Sequence, residues 1–184
     1  MVLITWIIIA VVLLIVLVLI SYFNRFVVLG NRIDGSLAQI DVQLRRRADL
    51  VPNLISTVKG YVKHESAMIT KVTEARKALV GAKDIIGKVK AGDKLQSALA
   101  GLFAIAENYP NLKANENFLQ LQQELASIED KVAYSRQFYN DNILDFNNGT
   151  KTFPGNIFAS IFGVKEREFL KIPEVMRAVP KVDF

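Results

Sequence analysis

The amino-acid sequence predicts an all-α protein, in which an amino-terminal transmembrane helix continues into a long antiparallel up-and-down helical bundle of three long helices plus a short carboxy-terminal helix. Three observations predict this class. The first 24 residues carry no charged side chain, apolar residues then recur at alternating steps of three and four, and capping and stop signals separate the helices. We expect residues 1–24 to form the anchor, residues 25–164 the cytoplasmic bundle, and residues 165–184 a partly ordered tail.

The anchor is predicted from length and composition. Trp6 to Ile20 is apolar throughout, and together with Met1 to Ile4 it supplies the roughly 20 residues that cross a hydrocarbon core. A secretory signal peptide is the competing interpretation, but the segment lacks a basic n-region and a small-x-small cleavage site, and its apolar run is too long. A lipid-modified anchor would need a cysteine, and the sequence has none.

The charges after the anchor predict its orientation. Arg25, Arg32 and the run Arg45 to Arg47 follow the span, with only Asp34 and Asp41 as acids in that interval. Positive charge remains on the cytoplasmic side, so we expect an outside amino terminus, a single span of the inner membrane and a cytoplasmic remainder. The net charge of +5 suits an anionic inner leaflet. Nucleic acid is not an expected partner, because basic and acidic residues are interspersed.

A long apolar seam follows the anchor. Its positions are Phe26, Gly30, Ile33, Leu37, Ile40, Leu44, Arg47, Val51, Leu54, Val58, Tyr61, Glu65, Met68, Val72, Ala75 and Leu79. The phase is unbroken at Pro52, which predicts one helix to about residue 82, bent near Ala48 to Pro52, and about 80 Å long beyond the bilayer. The competing interpretation is two helices broken before Pro52, with Asp49 as the cap.

Two positions of this seam are charged, Arg47 and Glu65. A buried charge without a partner is costly, so each should meet a partner on another helix or face water. We favour an ion pair that fixes register, within the bundle or across an oligomer interface. A proton-carrying or metal-binding role for Glu65 is the alternative.

The later helices are read from the same kind of pattern. Gly81 to Asp93 is predicted to be a loop, and Asp93 with Gln96 forms a D-x-x-Q capping signal for a helix that ends at Pro110. After "PNLKAN" we expect a helix from Asn115 to the "NNG" of residues 147–149, with its outer polar residues, Glu129 among them, in solvent. Its seam is Phe118, Leu121, Leu125, Ile128, Val132, Ser135, Tyr139, Asn142 and Phe146.

The segment "FPGNIFASIFGV", Phe153 to Val164, is short, apolar and uncharged. Packing in the core as the last helix of the bundle is the favoured interpretation. The alternative is contact with the bilayer surface, in which Phe158 and Phe162 would be the interface residues.

No segment is typical of an enzyme. The one histidine, His64, stands in "HESAM", where a zinc protease motif would place a second histidine at Met68. With no cysteine in the chain, a transition-metal site is not expected, and neither a nucleophile elbow nor a phosphate-binding loop occurs. We therefore predict no catalytic, cofactor-binding or metal-binding residues.

Three stretches closely resemble the LemA family of bacterial membrane proteins: "IDVQLRRRADLVPNLISTVKGYVKHE", "ENYPNLKANENFLQLQQEL" and "YNDNILDFNN" followed by "FPGNIFASIFG". The resemblance covers about Ile33 to Phe169. Gly35 and Leu37 stand where the family usually has an acidic residue and a tryptophan before "QIDVQL". The resemblance implies a single-span anchor carrying an antiparallel helical bundle without known catalytic activity.

These observations lead to three functional hypotheses. The first is a membrane-anchored scaffold or adaptor that acts through self-association or through another membrane protein. The second is an accessory or regulatory subunit of a membrane protease, because some relatives are encoded beside one. The third is a protein that remodels or organises the membrane, because other relatives are needed for magnetosome membrane formation. In each case the bilayer is an expected partner, and a homo-oligomer is expected in the first.

Overall fold

The computed structural model describes residues 1–62 and 65–170. These residues form six helices and no strand: α1 (Val2–Lys59), α2 (Ser66–Gly81), α3 (Ile85–Ala106), α4 (Pro110–Lys113), α5 (Glu116–Lys151) and α6 (Gly155–Phe162). The chain divides into two compact units. The first comprises Met1–Ser36 with Gln137–Phe169, and the second contains Leu37–Arg136. The prediction of an all-α chain with a long apolar amino-terminal helix is confirmed.

Helix α1 runs without a break through Pro52, so the alternative of a break before this residue is wrong. Its predicted end near residue 82 is also wrong, since α1 ends at Lys59. The N–H groups of Gly60 and Tyr61 donate to carbonyls three residues back, those of Thr57 and Val58. Glycine is a poor helix former, and it stands where the helix closes. The apolar pattern concealed this end because α2 resumes the same phase.

Pro52 is accommodated by a donor from another helix. A proline inside a helix leaves the carbonyl four residues before it without a helical N–H partner, and here that carbonyl belongs to Ala48. The Nε of Arg76, on α2, donates to the Ala48 carbonyl oxygen at 2.7 Å. The helix therefore passes Pro52 with this buried carbonyl still hydrogen-bonded.

Helix α3 begins earlier than predicted. Asp84 is its N-cap, with a side-chain oxygen that accepts a hydrogen bond from the Gly87 N–H at 2.7 Å. The predicted loop to Asp93 and the capping role of Asp93 are therefore wrong. The region is helical because its own residues pack: Val89, Ala91 and Gly92 are buried, and a Cβ on Gly92 would lie 2.6 Å from Leu44.

Helix α5 begins as predicted and ends later than predicted. Asn115 caps it, with a side-chain oxygen that accepts from the Phe118 N–H at 3.0 Å, and α4 occupies most of the "PNLKAN" corner. The predicted stop at residues 147–149 is wrong, because α5 continues to Lys151. Gly149 is a packing residue rather than a stop, since its Cα faces Phe26 so closely that an added Cβ would lie 3.3 Å away.

The seams predicted from the sequence form the core over most of their length. Buried positions from α1 include Phe26, Ile33, Ile40, Leu44, Val51, Leu54 and Val58, and those from α5 include Phe118, Leu125, Ile128, Val132, Tyr139 and Phe146. Helix α3 adds Leu95, Leu99 and Leu102. Full burial of one such side chain is worth about 1.5–3 kcal/mol, so these rows hold the helices together.

The amino-terminal part of α1 contrasts with this core. Residues 1–17 are exposed throughout, although a window of 18 residues has a mean hydropathy of 3.5, with 0% of it buried. By length and composition α1 is able to cross a membrane.

Candidate functional site

The first unit contains an aromatic cluster where α6 meets α1. Phe158 stacks on Tyr22 with ring centroids 4.6 Å apart, and Phe162 meets Phe23 edge to face at 5.3 Å. Both of the predicted interface phenylalanines therefore point toward α1, directly after its apolar stretch. Helix α6 thus packs against α1 on one side, while Ile157 and Ile161 on its other side remain exposed.

Glycines set the position of α6. Gly155 approaches the backbone of α5 so closely that a Cβ would lie 2.2 Å from the Gly149 carbonyl oxygen. Gly163 ends the helix in the left-handed region, with φ 66°, and the Val164 N–H donates back to the Ala159 carbonyl at 2.9 Å. This ending is typical of glycine-terminated helices. Close backbone packing at one end and the cap at the other fix α6 on the first unit.

The segment after α6 is held to α5 by Asn147 and Arg167. The Asn147 side chain accepts from the Arg167 N–H and donates to the Arg167 carbonyl, each at 2.9 Å. The Arg167 guanidinium lies over the Phe146 ring, 5.5 Å from its centroid, and donates to the Asp34 carboxylate at 3.0 Å. Sequence reasoning missed this arrangement, because Asn147 was assigned to a helix stop.

A cavity of about 650 Å³ lies beside this segment. Apolar side chains such as Phe23, Phe26 and Phe162 line it together with Asp34 and Arg167. Burial raises the pKa of the nearby Tyr139 hydroxyl, and the positive charge of Arg167 opposes this shift. The cavity thus combines an aromatic wall with the ion pair of Asp34 and Arg167, and Lys165 and Glu166 also line it.

The second unit contains a buried charge cluster. Arg47 on α1 forms an ion pair with Glu129 on α5, and their side chains are 1% and 23% exposed. A second pair, Arg136 with Asp93, lies on α5 and α3 at 2.6 Å. Burial lowers the pKa of the Arg47 guanidinium and the Glu129 carboxylate opposes this, while Arg136 and Asp93 act on it more weakly and with opposite signs. Two cations and two anions thus connect three helices.

The structure does not bring the two charged seam residues together. Glu65 is half-buried just before α2, where its backbone carbonyl accepts from the Ile69 N–H at 3.3 Å and its side chain makes no capping hydrogen bond. The register or interface role of Arg47 and Glu65 stays a prediction. His64 lies outside the described residues. Within residues 1–62 and 65–170, no group of three or more His, Cys, Asp or Glu side chains is placed to hold a metal ion.

The partner of Arg47 was misjudged from the sequence. Glu129 was expected in solvent, and this is wrong, because it flanks the seam position Ile128 and turns toward Arg47. A charged seam residue on one helix indicates that an opposite charge will border the seam of a neighbouring helix. In the same way, Arg136 borders the seam of α5, one turn after Val132, and pairs with Asp93 on α3.

Comparison with known proteins finds a family profile and several proteins to which the chain is similar. A sequence profile described as the LemA family matches residues 36–184. Magnetosome protein MamQ of Magnetospirillum gryphiswaldense is 23% identical over 177 residues, covering 82% of this chain and 65% of that protein. Magnetosome protein MamQ 2 of Paramagnetospirillum magneticum is 23% identical, covering 83% of this chain and 66% of its own length. Protein LemA of Metamycoplasma hominis is 25% identical, with coverages of 80% and 68%.

The match does not extend over the whole of these relatives. The chain spans about two thirds of their length, 65% and 66% for the two magnetosome proteins.

Proposed function

Because the chain belongs to the LemA family, we propose that it is a membrane-anchored helical scaffold or adaptor of the bacterial inner membrane that works without catalysis. The proposal rests above all on α1. This one helix begins with exposed apolar residues and continues, without a loop, into residues that form the core of a folded domain. Such a helix ties a folded domain to a bilayer.

The anchor is supported by length and exposure. About 20 helical residues cover a hydrocarbon core of about 30 Å, and the exposed apolar stretch supplies them. In water so much apolar surface would drive aggregation, whereas in lipid it is the favourable arrangement. Arg25 and Arg32 follow the span, and because positive charge remains on the cytoplasmic side, they support a cytoplasmic location of the remaining domain.

The helical domain is supported as an up-and-down bundle by contacts within the second unit. Along α1, Arg47 pairs with Glu129 and Tyr61 accepts from Asn115, so α5 runs opposite to α1. Asp41 pairs with Lys88 at 2.6 Å, and Leu44 packs on Gly92, so α3 runs in the same direction as α1. The buried charge cluster fixes the register of these helices, since a shift of one turn would separate its charges.

A scaffold must contact a second protein, either a copy of itself or another membrane protein. Val42, Val80 and Ile86 are apolar and exposed in the second unit, at 48%, 62% and 55%. Outward apolar side chains of this kind are candidates for contacts between helices of two chains. We propose that self-association or partner binding uses these outer faces.

The test is the mass of the full chain in mild detergent, measured by light scattering, combined with cysteine crosslinking in cells. The chain has no cysteine, so Val42→Cys and Val80→Cys each introduce a single reactive position. We expect a mass above that of the monomer or a crosslinked second protein. The buried Leu54→Cys serves as the matched control that should not crosslink. A strictly monomeric particle that yields no crosslinked product from either exposed position would overturn the proposal.

A second candidate function is membrane organisation, which the names of the magnetosome relatives favour. In this role many copies of the anchor and the adjoining helix would act on the bilayer. Reconstitution at high protein density into vesicles of phosphatidylethanolamine and phosphatidylglycerol, imaged by electron microscopy, is the test. Vesicles that keep the shape of protein-free controls would contradict this role.

A further inference from the structure

We propose that α6 is an interfacial membrane helix, seated at the boundary of headgroups and acyl chains beside the span, with Phe153, Ile157 and Ile161 toward the lipid. This inference rests on the proposed anchoring of α1 and goes beyond the scaffold function, because it assigns a second, separate lipid contact to the chain. The occupant of this surface is the bilayer itself.

The depth of α6 follows from its contacts with α1. The uncharged stretch of α1 ends at Arg25, and charged side chains are costly inside the hydrocarbon core of a membrane. The two α1 residues that hold α6, Tyr22 and Phe23, stand within one turn before this arginine. Since α6 lies directly against them, it lies at the level where the hydrocarbon ends. Aromatic side chains are enriched at this level of a membrane.

The surface of α6 is more apolar than its packing against α1 requires. Gly155 and Ala159 are buried, while Ile157 and Ile161, one turn apart, are 49% and 61% exposed, and Phe153 before the helix is 81% exposed. Two polar residues, Asn156 and Ser160, are exposed on the adjoining side. The protein therefore leaves an apolar side of α6 uncovered, and a helix in the membrane interface buries such a side at the boundary of headgroups and acyl chains.

The surrounding residues match this position. No charged side chain occurs from Thr152 to Val164, and lysines stand directly outside this interval, at 151 and 165. Lysines at the edge of an apolar segment keep their charged ends among headgroups. On α1, Ile20 and Phe23 are each 51% exposed, so the apolar surface of α6 continues into that of the span. A bilayer covers this continuous surface, which a protein partner would have to share with lipid.

The test uses the full chain in vesicles of phosphatidylethanolamine and phosphatidylglycerol. Single-cysteine variants Ile157→Cys and Ile161→Cys carry an environment-sensitive fluorophore, and lipids brominated near the carbonyl end of the acyl chain serve as quenchers. Both positions are exposed, so the substitutions should leave the fold intact, which circular dichroism checks. We expect both labels to be quenched relative to vesicles without brominated lipid, as for side chains at the acyl-chain boundary. Lys131→Cys, exposed in the second unit, is the control that should not be quenched.

A label in the span separates this proposal from the anchor on which it rests. Leu14→Cys should be quenched by lipids brominated deep in the acyl chain. Quenching at Leu14 without quenching at either isoleucine would overturn the interfacial helix and leave the anchor standing. Absence of quenching at all three positions would overturn both. A blue-shifted but unquenched label on α6 would also overturn the proposal, since it would indicate that protein covers this surface.

Discussion

The passage of α1 through Pro52 predicts a strong energetic coupling between Pro52 and Arg76. Pro52 has no N–H to offer the Ala48 carbonyl, and Arg76 supplies the missing donor from α2 at 2.7 Å. Replacing Arg76 by methionine keeps much of the apolar stem but removes the donor. Replacing Pro52 by alanine restores the helical N–H, after which the carbonyl no longer depends on Arg76.

The magnitude follows from the burial of the carbonyl. Ala48 is 1% exposed, so its carbonyl has little access to water in the folded chain. A buried carbonyl left without a donor costs about 1–3 kcal/mol, and we expect Arg76→Met to lower the free energy of unfolding by about 2 kcal/mol. In the Pro52→Ala background the same change should cost less than about 0.5 kcal/mol. The expected coupling energy is therefore about 1.5 kcal/mol, well above the error of such cycles.

The assay is urea unfolding of the full chain in a mild detergent, followed by the helical circular dichroism signal. The four proteins of the cycle are the wild type, the two single variants and the double variant. Arg46→Met is the matched control, because Arg46 is exposed on α1, the helix that contains Pro52, and such surface changes usually stay within about 0.5 kcal/mol. An equal cost of Arg76→Met with and without Pro52 would refute the reasoning, since it would mean that the carbonyl does not need this donor.

Three further predictions concern other parts of the chain. Glu129→Gln should destabilise by about 2–3 kcal/mol in the same assay, because Arg47 keeps its buried charge without its partner. Gly155→Ala should lower the thermal midpoint, because its Cβ would lie 2.2 Å from the Gly149 carbonyl oxygen, and overpacking costs about 1–3 kcal/mol. Tyr139→Phe should lose less stability above about pH 10 than the wild type: burial raises the pKa of the folded Tyr139 hydroxyl, so alkaline pH ionises this group first in the unfolded chain.

The first two of these predictions each have a control variant within the chain. Glu107→Gln breaks an ion pair whose side chains are 57% and 59% exposed, and it should change stability little. Gly35→Ala lies inside α1 with nothing within 4 Å of the added Cβ, so it should be neutral or stabilising by up to about 1 kcal/mol. Equal effects of the paired glycine variants, or of the paired glutamate variants, would contradict the packing and charge arguments. For Tyr139, parallel curves of stability against pH for the variant and the wild type up to alkaline pH would contradict the raised pKa of its hydroxyl.

The sequence predicted which rows of helix residues are buried better than it predicted where the helices end. Rows follow from periodicity alone, and those predicted for α1 and α5 are in the core over most of their length. The ends of helices depend on glycines and caps, and the sequence alone does not show whether a given glycine ends a helix or packs inside one. Gly60 closes a helix, whereas Gly92 and Gly149 sit inside helices because a neighbouring side chain comes close. The sequence offered Asp93 as the cap of α3, whereas the helix begins after Asp84 because Val89, Ala91 and Gly92 before Asp93 are buried.

The polar contacts were the least predictable. The sequence indicated that Arg47 required a partner, but the choice of Glu129 depends on which flank of α5 faces α1, and this is settled by tertiary packing. The donation from Arg76 to Ala48 had no signal beyond the presence of Pro52 itself. For α6, packing in the core and contact with the bilayer were alternative predictions. In the structure Phe158 and Phe162 pack against α1, whereas Ile157 and Ile161 are exposed.

The continuity of α1 also has a mechanical consequence. Membranes differ in thickness, and a span usually adapts to such hydrophobic mismatch by tilting. Because no joint separates the apolar stretch from Phe26, which packs against Phe146 at a ring distance of 6.1 Å, α1 cannot tilt without moving that core contact. Inserting a single residue between the apolar stretch and Phe26 would rotate one part of α1 relative to the other by about 100° and shift it by about 1.5 Å. With the proposed anchor in a bilayer, a change in the tilt of the span thus reaches the packing between α1 and the rest of the first unit.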